Sequence, residues 1–131
     1  MSRSGYTDDN DDQWALIRWR GAVKSAIRGK RGQSFLREMA AAMDAMPEKS
    51  LIAEELEHKG EVCALGSVGK ARGINMANVD PEDYDGVADV FGIPNALARE
   101  IMYENDFLFY DETGEHRWQH VRKWIQEQIV T

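Results

Sequence analysis

The sequence predicts an all-α fold, mainly helical, with about six helices in one compact domain. Apolar residues recur at three- and four-residue spacing along most of the chain, which is typical of amphipathic helices. Residues that favour helix caps and stops separate these stretches. Of the 131 residues, 43% are hydrophobic, which is enough for a core without metal or disulfide support.

The two ends of the chain differ in composition. Residues 1–11 are polar and acidic and predict a flexible N-terminal tail, whereas residues 12–131 are predicted to form a single helical domain. No apolar run approaches the roughly 20 residues of a membrane span, so no membrane association is expected. The lone cysteine, Cys63, leaves no intrachain disulfide and favours a reducing, cytoplasmic location.

The first helix is predicted to follow Asp11 and Asp12, which are suited to cap it. One apolar stripe marks its buried face: Leu16, Trp19, Val23 and Ile27. A basic stripe at four-residue spacing lies on a different face: Arg20, Lys24 and Arg28. Gly29 and Gly32 bracket Lys30 and Arg31 and predict a short basic turn after this helix.

The charge of the chain is unevenly distributed. Residues 13–37 contain seven basic residues and no acidic one, although the formal net charge of the whole protein is -7. Such a division can attract a charged partner, or it can be neutralised within the fold or across a homodimer. Both interpretations are open at the level of sequence.

The middle of the chain is less regular. A second helix is predicted from Gln33 to Met46, with its methionines as core residues and Pro47 as a stop. Leu51–Leu56 could form a short helix or an edge strand, residues 58–60 predict a turn, and Glu61–Lys70 favours a helix. The alternative is a small two-stranded element around residues 51–66.

The C-terminal half predicts three further helices. Asp80 is suited to cap the first, Gly92 to end it, and Pro94 to start the next. An aromatic connector, Phe107–Asp111, leads to a terminal helix that Thr113 opens. Four acidic residues near the first of these helices form a predicted partner-binding acidic face: Glu82, Asp83, Asp85 and Asp89.

Residues 87–102 also match the spacing of a helix-turn-helix, in which a small residue and a glycine let two helices pack closely. Its second helix offers Asn95 and Arg99 to a nucleic acid, but Glu100 and Glu104 lie on the same helix. Because phosphate contacts dominate affinity for nucleic acid, this acidic helix is poorly suited to DNA. An ordinary helical hairpin explains the same spacing.

Three patterns that resemble chemical sites are incomplete. Residues 66–71, GSVGKA, lack the first glycine and the hydroxyl of a phosphate-binding loop. His116 and His120 stand one helical turn apart, but no second histidine or cysteine cluster completes a metal site. Cys63 and His58 have no neighbouring signal of an activated thiolate. We therefore expect no enzyme activity, no catalytic or metal-binding residues and no cofactor.

Three segments resemble an uncharacterised family of small proteins encoded by bacteriophages and prophages of Gram-negative bacteria. They are residues 12–39, residues 51–74 with GEVCALGSVGKARGI, and residues 91–106, FGIPNALAREIMYEND. The resemblance implies a phage accessory protein that acts in the host cytoplasm. Such proteins often bind a host or defence component, as anti-CRISPR proteins do.

The functional hypothesis from the sequence is a non-enzymatic protein-binding domain, an inhibitor of a host defence or regulatory complex. The alternative is a nucleic-acid-binding regulator that uses the helix-turn-helix-like hairpin or the basic residues of the first helix. We call these basic residues the basic row: Arg20, Lys24, Arg28, Lys30 and Arg31. A homodimer that joins the basic row to the acidic face is compatible with either hypothesis.

Overall fold

The computed structural model describes residues 3–6, 13–106 and 113–130. Within these ranges it contains six helices and one antiparallel hairpin, which confirms the predicted all-α fold and the alternative two-stranded element. The elements are α1 Gln13–Arg28, α2 Lys30–Asp44, β1 Glu57–His58, β2 Glu61–Val62, α3 Ala64–Arg72, α4 Tyr84–Phe91, α5 Asn95–Asp106 and α6 Gly114–Gln128.

Two helices, α2 and α5, form the centre of the domain. Helix α2 packs against α1, α3 and α6, and α5 packs against α1, α3, α4 and α6. Their apolar faces are fully buried, including Leu36, Met39, Met43, Leu97, Ala98, Ile101 and Met102. The methionines of α2 are therefore core residues, as predicted. None of the described helices is both long enough and apolar enough to cross a membrane.

The basic turn predicted between the first two helices is wrong. Gly29 alone forms the corner, in an extended conformation, and α2 begins at Lys30. Gly32 lies inside α2, at a position where any side chain would collide with the backbone carbonyl of Ala26. Lys30 and Arg31 therefore occupy the first turn of a helix, directly beyond the end of α1.

Of the two alternatives for residues 51–56, the short helix is not formed, because the chain there leads into the hairpin. Glu57 pairs with Val62 and His58 with Glu61. Lys59 and Gly60 both have positive φ, 52° and 84°, as a tight two-residue hairpin turn requires. Helix α3 follows at once, so the second predicted helix is present but starts three residues late, at Ala64.

Local hydrogen bonds set the boundaries of the later helices. Asp80 accepts a hydrogen bond from the backbone N–H of Glu82 and closes a turn, and α4 is instead capped by Asp83. Gly92 ends α4 with φ of 69°, and Thr113 caps α6, both as predicted. The capping prediction for residues 11 and 12 and the connector at residues 107–111 lie outside the described residues.

Four residues of the predicted tail pack against the domain. Arg3 and Ser4 are buried and Tyr6 is half-buried, so the expected flexibility does not extend to residues 3–6. Arg3 forms an ion pair with Asp106 of α5, which composition alone did not indicate. The other residues of 1–11 lie outside the described residues.

Candidate functional site

The solvent side of α1 carries an exposed line of positive charge. Arg20, Lys24 and Arg28 are all exposed and follow one another at four-residue spacing along the helix. The exposed Lys30 and Arg31 continue this line around the corner at Gly29 onto α2. The five predicted residues of the basic row therefore lie next to one another along α1 and the start of α2.

The charges of the basic row are largely unneutralised by the described part of the fold. None of Lys24, Arg28, Lys30 and Arg31 forms an ion pair or side-chain hydrogen bond with a described residue. Arg20 differs slightly, because its charge acts on the Glu100 carboxyl and opposes the rise in the pKa of that group. Neutralisation within the fold, which the sequence left open, does not account for this row among the described residues.

Other arginines of the protein do have carboxylate partners. Arg72 donates to Glu38 at 2.6 Å, and Arg122 donates to Asp44 at 2.9 Å. Each of these arginines lowers the pKa of its partner carboxyl, mainly through the hydrogen bond between them. The fold therefore pairs several cations with anions while leaving the basic row exposed to solvent.

Apolar side chains accompany the charges at the start of α1. Trp14 is 72% exposed, Ile17 is 59% exposed and Leu16 is 37% exposed. The buried stripe predicted for α1 is confirmed at Val23 and Ile27, which are buried, and at Trp19, which is partly buried. It is wrong at Leu16, which is exposed. Trp and Arg are among the residue types enriched at the energetic centres of protein interfaces, so this end of α1 is a candidate binding surface.

The acidic face is exposed, but it is partly engaged within the chain. Asp83 caps α4, and Asp85 accepts a hydrogen bond from the Asn95 amide. Glu82 and Asp89 have no ion pair or side-chain hydrogen bond with a described residue. Two of the four predicted acidic residues are thus available without breaking a local contact.

The helix-turn-helix-like hairpin corresponds to α4 and α5, which pack against each other. Its two candidate base-contacting side chains, however, make contacts within the protein. Asn95 donates to Asp85, and the Arg99 guanidinium lies 4.3 Å from the ring centre of Tyr84 and 4.4 Å from that of Trp19. Arg99 also donates to the Ser4 carbonyl oxygen at 2.6 Å. These contacts occupy the groups that would contact a nucleic acid.

The glycine-rich segment of α3 is a packing surface. Ala64 to Gly69 are buried, and a side chain at Gly66 would collide with the Leu56 carbonyl oxygen. The backbone N–H groups at its start already have acceptors: that of Ala64 donates to Asn105, and that of Gly66 donates to the Cys63 sulfur.

The cysteine and histidines are likewise placed in structural roles. Cys63 is fully buried and caps α3 by accepting from the Gly66 N–H, whereas His58 is exposed beside Glu55. His120 lies 2.8 Å from Glu104, and within the described ranges no three potential ligands cluster as a metal site would need.

Sequence reasoning missed a buried polar cluster around Arg3. Its guanidinium donates twice to Asp106, at 2.6 Å and 2.9 Å, and approaches the Cys63 sulfur at 3.6 Å. Burial alone would lower the pKa of Arg3, but Cys63 and Asp106 beside it hold that pKa above its ordinary value. These partners lie far apart along the chain, so no local spacing indicates them.

Comparisons with protein-family models, with curated proteins and with solved structures find nothing that matches this chain.

Proposed function

We propose that this protein is a non-enzymatic binding protein whose docking surface is the basic row together with Trp14 and Ile17. The observation that carries the proposal is the exposure of these side chains, with Lys24, Arg28, Lys30 and Arg31 lacking a carboxylate partner among the described residues. An arginine or lysine that contributes nothing to the fold is free to pair with a partner. The core is built from other residues, so the row can be used without disturbing it.

The partner that fits this surface best is a protein with an acidic patch beside an apolar pocket. Trp and Arg are enriched among the residues that dominate protein–protein binding energy. Trp14 and Ile17 offer apolar area to such a pocket, while the row offers charge that accelerates encounter. Glu82, in the turn before α4, and Asp89, on α4, belong to the acidic face and are available to a second contact.

The biological setting we propose is the inhibition of a host defence or regulatory complex in the host cytoplasm, as anti-CRISPR proteins do. This setting follows from the resemblance of residues 12–39, 51–74 and 91–106 to small phage-encoded proteins. The docking surface is proposed independently of that resemblance, from the exposure and contacts of residues on α1 and the first turn of α2.

The test is a pull-down from nuclease-treated host lysate with the full chain as bait. Arg20, Lys24 and Arg28 are changed together to Glu. A matched control changes three exposed lysines elsewhere to Glu, Lys59, Lys70 and Lys123, and so alters net charge equally. We expect one protein to be captured by the wild type and by the control but lost with the α1 variant. Equal capture by all three baits would remove α1 as the docking surface.

A nucleic-acid-binding regulator is the second candidate, favoured by the length of the unpaired row. Five phosphate contacts would make affinity for a labelled duplex fall roughly 10²- to 10³-fold between about 50 and about 200 mM salt. The same α1 variant would abolish this binding, whereas the lysine control would keep it. Binding that does not respond to salt, or none at all, would exclude this candidate.

A further inference from the structure

Residues 3–6, Arg-Ser-Gly-Tyr, lie in a groove formed by α1, α4, α5 and the start of α3. We call them the N-terminal segment. The arginine contacts Asp106 and Cys63, the serine carbonyl contacts Arg99, and the tyrosine contacts Trp19. Arg3, Ser4 and Tyr6 are thus each held by contacts with the groove, as the residues of a bound peptide would be.

The Asp106 carboxylate forms the arginine end of the groove. Hydrogen bonds from groups other than Arg3 hold this carboxylate in place. Oδ1 of Asp106 accepts hydrogen bonds from the Asn105 amide at 2.8 Å and from the Glu54 N–H at 3.1 Å. Asn105 is itself fixed, because it donates to the Ile52 carbonyl and accepts from the Ala64 N–H. The acceptor is therefore oriented to receive a guanidinium in the two-point geometry that arginine prefers.

The middle of the segment requires glycine. Gly5 has φ of +74°, and a Cβ at this position would lie 2.9 Å from both the Arg99 guanidinium and the Tyr84 ring. The Ser4 hydroxyl accepts from the Tyr6 N–H at 3.2 Å, which keeps the turn closed. Any larger residue in place of Gly5 would be strained and would push the segment away from the groove.

At the tyrosine end of the groove, aromatic rings surround the Tyr6 ring and a carboxylate lies beside its hydroxyl group. The Tyr6 ring lies 5.6 Å from that of Trp19, edge to face, and 5.1 Å from that of Tyr103. Its hydroxyl donates to Glu100 at 3.0 Å. An aromatic residue with a hydroxyl group satisfies both the apolar walls and this acceptor.

We propose that this groove is a peptide-binding site for the Arg-Ser-Gly-Tyr segment, filled in cis by the chain's own residues and able to take the same segment from a second copy. In the proposed site, the Arg3–Asp106 pair would provide selectivity for arginine, because removal of either partner leaves the other charge unpaired. Exchange of an identical segment between copies replaces each contact with an equivalent one, so it costs little free energy. The inference does not depend on the docking surface of α1.

The test uses the full chain with Arg3 and Tyr6 changed to Ala, which empties the groove and leaves all its walls intact. A dye-labelled peptide of residues 1–8 is titrated and its fluorescence anisotropy followed. We expect saturable binding, weakened roughly tenfold or more in a peptide with Arg3→Ala, since two charge-assisted hydrogen bonds are lost. The wild-type chain should bind the peptide more weakly, because its own segment competes at high effective concentration.

A second variant, Gly5→Val, displaces the segment by strain alone and should bind the peptide as the first variant does. If either variant is unfolded by itself, the peptide must restore its helical circular dichroism. A folded variant that shows no saturable binding at about 1 mM peptide, equal binding of the Arg3→Ala peptide, or no restoration would overturn the proposal.

Discussion

At Glu100, burial and neighbouring groups act on one carboxyl group in opposite directions. Burial, the largest influence, raises its pKa, and the charge of Glu104 does the same. The hydrogen bond from Tyr6 and the charge of Arg20 lower it, but the balance leaves the pKa above its ordinary value. The folded state therefore binds the Glu100 proton more tightly than the unfolded chain does, and ionisation of this group at higher pH lowers the stability of the fold.

We expect Glu100→Gln to increase the free energy of unfolding at pH 7. The amide oxygen can still accept from Tyr6, and no buried charge remains. The gain should shrink as the pH falls through the raised pKa and disappear below the ordinary value of 4.5, where Glu100 is protonated in both states. Urea unfolding across this range measures it, with the exposed Glu127→Gln as control. A loss of stability at pH 7 would mean that the ionised hydrogen bond outweighs burial.

Single residues also show which parts of the site the sequence can predict. Arg20, Lys24 and Arg28 were placed on one face because helical spacing is a local property. The exposure of Trp14 and Ile17 was not predicted, since apolar residues surround α1 on more than one side. The Arg99 guanidinium lies among the rings of Tyr6, Trp19 and Tyr84. This arrangement depends on long-range packing, which no local pattern encodes.

At the scale of elements, the type of each long helix was predictable, whereas only some of the helix ends were, such as Gly92 after α4 and Thr113 before α6. The start of α4 shows why: Asp80 and Asp83 are both suitable caps, and the choice depends on which hydrogen bonds form. The hairpin was an open alternative, because the apolar pattern of residues 51–56 is compatible with a helix and with an extended segment. Its selection depends on the close approach of α3 at Gly66, a tertiary contact.

Two glycines in helices should therefore respond oppositely to alanine. Gly66→Ala in α3 forces a methyl group against the Leu56 carbonyl and should cost about 1–3 kcal/mol. Gly21→Ala in α1 meets nothing within 4 Å and should add about 0.5–1 kcal/mol, because alanine favours the helix. Chemical denaturation of both variants measures the difference. A neutral Gly66→Ala would contradict the close packing of α3 on the hairpin.

For the molecule as a whole, the rate at which a thiol reagent modifies the buried Cys63 measures how often the folded chain opens. Its side chain is fully buried, between the first turn of α3 and the Arg3 guanidinium. We expect a thiol reagent to modify the native chain roughly a hundredfold or more slowly than the unfolded chain. Arg3→Ala should accelerate the reaction in the native state, and Lys123→Ala should not. Fast modification of the wild type would show that the N-terminal segment does not cover the thiol.

The separation of core and basic row has an evolutionary consequence. Lys24, Arg28, Lys30 and Arg31 contact no acidic group of the described fold, so substitutions there should change stability by no more than about 0.5 kcal/mol. Selection can then vary these four positions without first finding compensating changes in the core. If the basic row is the docking surface proposed above, a lineage of such proteins could follow a target whose surface keeps mutating, and it would retain the same helices while its binding preferences diverge.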